Sequence, residues 1–337
     1  MRVLNRIFAS KAEREQRARE AKLADPVIER LVAATDRRLA LVEGYRERLR
    51  APVVAAHEHV TAMIARIPGP IEVSPAAWSG DERLRPLFSH AVDAAAAYSE
   101  DESVRAFFAA NPARDCFGML ALQQAERRVL TTVQHGESMQ AEVARTTVSF
   151  SEPQILAPAA DEAAVRAELV ARAIEYLALR AMESVGAMRA GKHELEQERA
   201  LLRAQLALAE RRGAGLGAVA SSHASAAVPS RAEIENDLAR TVGELEQAAS
   251  RNLLPALLDE LLAALSRPEE HLTIEPCALA LDAMNFAVAP SPRAVTPCVA
   301  IMRLARRPMP FAVLIARFPR AELRERDNRL AEAAKYL

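Results

Sequence analysis

Apolar side chains between Asp161 and Arg212 recur at alternating steps of three and four residues. One seam position falls on Ile174, Ala181, Met188, Leu195, Leu202 and Ala209, and its companion on Ala171, Ala178, Val185, Lys192, Arg199 and Leu206. A stripe with this spacing follows one face of a helix and is buried against another helix. The pattern predicts one heptad helix over 161–212, with a self-association seam of Ile174, Val185, Met188, Leu195, Leu202 and Leu206. Gly186 and Gly191 weaken its middle, and Lys192 and Arg199 interrupt the apolar stripe. The run ends in residues 213–230, which carry no charged side chain and read as a flexible linker.

Near-helical spacing also connects Leu31, Leu39, Val42, Leu49, Val53, Val60 and Ile67. Asp25–Pro26 has the form of a helix start, a cap followed by proline at the first helical position. Pro52 should kink or divide this helix, and Pro68-Gly69-Pro70 ends it. Residues 68–86 read as a loop around the single tryptophan, Trp78. A helical block follows, with start signals at Ser99 with Glu102 and at Asn111–Pro112.

Between Arg128 and Phe150 the period changes to two. β-branched residues alternate on either side of His135–Gly136, which predicts a β-hairpin near 128–150, with a continuous helix as the competing reading. Beyond the linker, Ser230 and Glu233 fit a capping box and two further helices are expected. The tail holds short apolar runs at Leu272–Ile274, Ala278–Leu281, Phe286–Ala289, Val299–Leu304 and Phe311–Ala316. The last has no polar residue on either face, which predicts a central strand covered by helices on at least one side. A charged helix from Arg320 to Tyr336 is expected to close the chain.

The expected fold class is therefore mainly α with long coiled-coil-like helices, a small α+β C-terminal domain and a hairpin near 128–150. The divisions are an N-terminal long-helix region (1–67), a helical block with the hairpin (68–160), the heptad helix (161–212), the linker (213–230) and the α+β domain (231–337). Composition points the same way: half of the 337 residues are hydrophobic, yet few are aromatic and glycine is scarce, which favours helices.

Three widely spaced cysteines, Cys116, Cys277 and Cys298, form no CxxC and no even framework, which suits a reducing compartment. Neither a signal peptide nor a transmembrane segment can be read, so a cytoplasmic place follows by default. The net charge of −1 hides an uneven distribution, with 10 basic and 4 acidic residues in 291–337. Arg303, Arg306, Arg307, Arg317, Arg320 and Arg324 could track the phosphates of a polyanion. With few aromatics nearby, such binding would be independent of base sequence. Val3, Leu4, Ile7 and Phe8 form an apolar cluster beside Arg2 and Arg6. The cluster could touch an anionic membrane peripherally or pack on the body of the protein.

Short motifs add little. Gly213-Ala-Gly215-Leu-Gly217-Ala218 resembles a dinucleotide loop in letters, but a charged helix precedes it where a strand is needed. His57 and His59 point to different helix faces, which does not suit zinc. Cys277 and Cys298 could meet in space, and His271 is the histidine nearest in sequence for a catalytic version. The acidic doublets Asp81–Glu82, Asp101–Glu102 and Glu269–Glu270 suit helix starts. No catalytic, cofactor-binding or metal-ligating residue is assigned. The leading expectation is a non-enzymatic cytoplasmic scaffold that self-associates through the heptad helix and docks a partner through 231–337. A nucleic-acid-associated protein using the basic tail, and an enzyme with an unrecognised site in 231–337, are the alternatives.

Overall fold

The computed structural model describes residues 21–135, 138–213, 231–249 and 253–324. Its helices are α1 (21–34), α2 (Tyr45–Ile64), α3 (Pro75–Gly80), α4 (Ala91–Ser99), α5 (Glu102–Ala110), α6 (Glu162–Gly213), α7 (Arg231–Ala249) and α8 (Leu253–Ser266). Its strands are β1 (Ile71–Glu72), β2 (Asp115–His135), β3 (Ser138–Ala159), β4 (Leu272–Pro276), β5 (Ala300–Leu304) and β6 (Phe311–Pro319). Contacts divide the described residues into two compact units, one of those within Val54–Ile174 and from Arg267 to Arg324, the other of those from 21 to Val53 and within Glu175–Ser266.

The first of these units is built on a sheet of order β3-β2-β6-β5-β4, with β1 added beside β6. All pairings are antiparallel except β1 with β6. The centre is β6, whose Ala312–Ala316 stretch is buried throughout. A strand buried on both faces carries no alternation, which is why Phe311–Ala316 reads as a solid apolar block. One face, with Leu120, Leu122, Leu314 and Phe318, packs against Tyr98, Val104 and Phe108 of α4 and α5. Tyr98 and Phe318 stand 5.0 Å apart, ring centre to ring centre.

The mainly helical expectation with a small α+β C-terminal domain is overturned by this sheet. It draws β2 and β3 from before the heptad helix and β4, β5 and β6 from after it, while α7 and α8 belong to the other unit. The hairpin is far longer than 128–150, pairing from Phe117 with Ala159 out to His135 with Ser138. The inner half of β2 escaped notice because Met119–Leu122 is buried on both faces and shows no period of two. Register shifts lie opposite Glu152 (φ 51°) and Ala157 (φ 55°), so Pro153 and Pro158, which lack an N–H, follow bulges.

Several local signals also resolve differently. Asn111–Pro112 ends a helix rather than starting one: Asn111 is the C-cap of α5. The cap of α5 is Asp101, whose carboxylate accepts from the Ser103 and Val104 N–H groups, and Ser99 closes α4. Pro26 sits within α1, and Pro52 lies inside an unbroken α2. The expected loop at 68–86 contains β1 and α3, and Trp78 Nε1 donates to Phe88 O at 3.0 Å.

Gly69 explains how the chain passes β6. Its φ of +130° suits glycine, and a Cβ there would overlap Ile315 O. The adjacent Pro68 O accepts from Ile315 N at 2.8 Å, continuing the edge that β1 pairs further along.

The second unit is helical. Ala24, Ile28 and Leu31 of α1 are buried, as are Leu177, Ala178 and Ala181 of α6 and Leu258 and Leu261 of α8. These positions repeat at three and four residues, the face that a packed helix buries. Arg48 of α2 reaches Asp259 of α8 at 2.6 Å, and Arg46 reaches Glu29 of α1 at 2.8 Å. Such exposed pairs orient helices and add little stability.

Candidate functional site

The long helix α6 starts where Asp161 accepts from Ala164 N–H at 2.8 Å and Glu162 pairs with Arg166 one turn on. Arg166 also donates to the carbonyls of Ile64 and Ile67, at 2.7 and 3.0 Å. Alanine, leucine, glutamate and arginine dominate its sequence and proline is absent from it, so the backbone has no reason to break over 52 residues.

Burial along α6 takes in the heptad positions read from the sequence, and before Ala178 also Val165, Leu169, Val170 and Leu177, which lie off the stripe. Ile174, Ala178, Ala181 and Val185 are between 0% and 4% exposed. Further along, Met188, Lys192, Leu195, Arg199, Leu202 and Leu206 are half-buried. Every other residue from 186 to 207 is exposed, Gly191 alone excepted. The stripe is thus closed at its first half and half-covered over its second. Leu179, Met182 and Leu201 lie off the stripe and are exposed.

A stripe of similar spacing occurs on α7, which belongs to the same unit as α6 from Glu175 onward. Ile234, Thr241 and Leu245 are buried and Leu238 is half-buried, at steps of four, three and four. Thr241, at 1% exposure, is a polar residue in that seam.

The arginine set is divided between fold and surface. Arg317 of β6 pairs with Glu72 of β1 and Asp115 of β2, the latter at 3.4 Å. Arg320 donates to the carbonyls of Phe108, Asn111 and Ala113 at the end of α5, and its guanidinium lies 4.8 Å from the Phe108 ring centre. The backbone of Arg324 ties the chain to Ser99 and Arg105. Arg303, Arg306 and Arg307 are exposed on β5 and the turn after it. Val3, Leu4, Ile7 and Phe8, most of 213–230 and the expected helix from Arg320 lie partly or wholly outside the described residues.

Sequence reasoning missed two features that non-local pairing creates. One is a cleft of about 450 Å³ between α4 and the hairpin, lined by Phe88, Asp93, Glu100, Asp101, Leu122 and Phe150. Two of its carboxylates already serve helix starts: Asp93 accepts from His90 N–H, and Asp101 from Ser103 and Val104. The other is a second cleft of about 440 Å³ in which Cys277 and Cys298, whose meeting the sequence suggested, are joined by Arg66 and Arg83, which it did not. Burial raises the Cys116 thiol to about 12 and the Cys298 thiol to about 11, and Cys277 shifts upward for the same reason. Thiols shifted this way are weak nucleophiles at neutral pH.

Among the described residues no group of three or more His, Cys, Asp or Glu side chains is arranged to hold a metal ion. No helix among them is long and apolar enough to cross a membrane. Compared with known protein families, curated proteins and solved structures, the chain matches none.

Proposed function

We propose that this chain is a non-enzymatic interaction protein that assembles through the second half of α6. The observation behind it is the coincidence of heptad and burial: between residues 186 and 207 the half-covered positions are those of the seam, with Gly191 beside them. A seam half-covered within one chain completes its burial against a second copy of the same helix.

Lys192 and Arg199 favour an antiparallel pairing. In a parallel, in-register dimer each companion position faces its own copy, which sets Lys192 against Lys192 and Arg199 against Arg199. Turning one helix round sets these cations beside Leu195 and Leu202, with Glu196 and Glu198 on the flanks to meet them. A cytoplasmic setting belongs to the same proposal, since three unpaired thiols suit a reducing compartment.

The test is the double substitution Leu195→Glu with Leu202→Glu, read by light scattering coupled to size exclusion. Monomers with an unchanged circular dichroism spectrum would support the reading. An unchanged oligomeric mass in the folded double variant would sink it.

A further inference from the structure

The Cys277 and Cys298 side chains line one cleft, with Arg66, Arg83, Pro68 and Pro276 around them. Strand pairing brings them there. β4 and β5 run antiparallel as far as Pro276 opposite Ala300, so Cys277 is the first residue past β4 and Cys298 stands two residues before β5. Cys298 is anchored, its N–H and its thiol both donating to Arg83 O at 3.4 and 3.6 Å. Burial, Asp81 and, least, charge at Cys277 raise the Cys298 thiol. Both thiols are free; Cys298 is buried and Cys277 half-buried.

We propose that Cys277 and Cys298 are an oxidisable pair that closes to a disulfide by exchange with a small acidic disulfide of the glutathione class. Cys277 is the more exposed and reacts first. Its thiolate attacks one sulfur of the small disulfide, the S–S bond breaks, and the departing thiolate takes up a proton. Cys298 then loses its proton, attacks Cys277 Sγ and expels the second small thiol. Two protein thiols lose two electrons, and one small disulfide becomes two thiols.

The surroundings select such a reagent. Arg66 and Arg83 line the cleft where the carboxylates of the small disulfide would lie, while Asp81 raises the Cys298 thiol more than Arg83 lowers it. Arg83 is itself held by Asp81 at 2.7 Å. Burial keeps both thiols protonated at neutral pH, so the exchange is slow and quickens as pH rises. The new bond closes the neck of segment 277–299. That segment grips the hairpin through Val148 N to Asn285 O and Ala287 N to Thr146 O, each 2.8 Å. Oxidation therefore tightens the hold on β3.

The experiment uses the full-length chain carrying Cys116→Ser, so that two thiols remain. It is incubated with oxidised and reduced glutathione at graded ratios, quenched by alkylation and weighed intact. The expected product has lost two hydrogens, takes up no alkylating agent and yields a 277–298 linked peptide. Cys298→Ser in the same background should stop at a glutathione adduct on Cys277. Two alkylated thiols at every ratio, a lasting glutathione adduct in the parent, or a disulfide between two chains would each overturn the proposal.

Discussion

Arg145 on β3 donates to Asp282 at 2.6 Å, joining the hairpin to the segment between β4 and β5. The Arg145 guanidinium also lies 4.1 Å from the centre of the Phe286 ring, a cation–π arrangement. Thr147 and Phe286 form an isolated antiparallel bridge beside it. This clasp secures the hairpin beyond Gln123, the last β2 residue paired with β6.

Removing the clasp should loosen the hairpin more than it destabilises the sheet. Partial burial alone would raise the Asp282 carboxyl, but hydrogen bonds from Phe286 N–H, Arg145 and Met284 N–H outweigh it, and the net shift is downward. A lowered carboxyl contributes stability that is complete above its unfolded value, about 4, and is lost as pH falls through its folded value. Arg145→Ala is expected to cost about 1 kcal/mol. It should lower the protection of the Val148 and Ala287 amides, measured against unfolded-chain exchange at the same pH, and acidifying the wild type below pH ~4 should do the same. Equal exchange in variant and wild type would rule the clasp out.

Gly69 should be intolerant of any side chain. A Cβ there meets both the backbone oxygen and the Cβ of Ile315, and φ is +130°. Gly69→Ala is expected to cost roughly 2–4 kcal/mol through strain and displacement of the buried strand. A thermal melt checks this: the midpoint should fall by several degrees, while Gly80→Ala, where a Cβ meets nothing within 4 Å, should leave it nearly unchanged.

The arginines at the end of the chain should separate into two groups. Arg320→Ala strands three carbonyls that it now satisfies and is expected to lower stability by about 1–3 kcal/mol. Arg303→Ala with Arg307→Ala, both exposed, should leave the melting midpoint within experimental error. If both variants melt together, the structural role given to Arg320 is mistaken.

The antiparallel pairing of α6 can be read from distances between copies. Ala190 and Ala204 are exposed on the same helix, away from the seam. Mixing chains spin-labelled at Ala190 with chains labelled at Ala204 should give a short separation by pulsed electron resonance. A short separation between two Ala190 labels would show the parallel arrangement instead.

What could be read from the sequence depended on whether its signal was local. The helix α6 and the half-buried stripe along its second half were legible because a surface helix covers one stripe and leaves the rest wet. The centrality of Phe311–Ala316 was legible for the opposite reason, since a strand covered on both faces has no polar positions. β2 was lost because Met119–Leu122 shares that uniform character, and an apolar block after Asn111–Pro112 fits a helix equally well. The two clefts and the Arg145 clasp depend on side chains far apart in sequence, and no spacing rule reaches them. Cys277 and Cys298 were a partial exception: their placement near expected strands suggested a meeting, though not the arginines around it.

The measurement that bears most directly on the assembly proposal is the mass of the full-length chain by sedimentation equilibrium, over a range of concentrations near physiological salt and at high salt. The account predicts a dimer that persists when salt is raised, because apolar burial along Met188–Leu206 holds it and screening acts chiefly on the flanking charges. A monomer at every concentration would contradict it, and would mean that the α6 stripe is closed within a single chain.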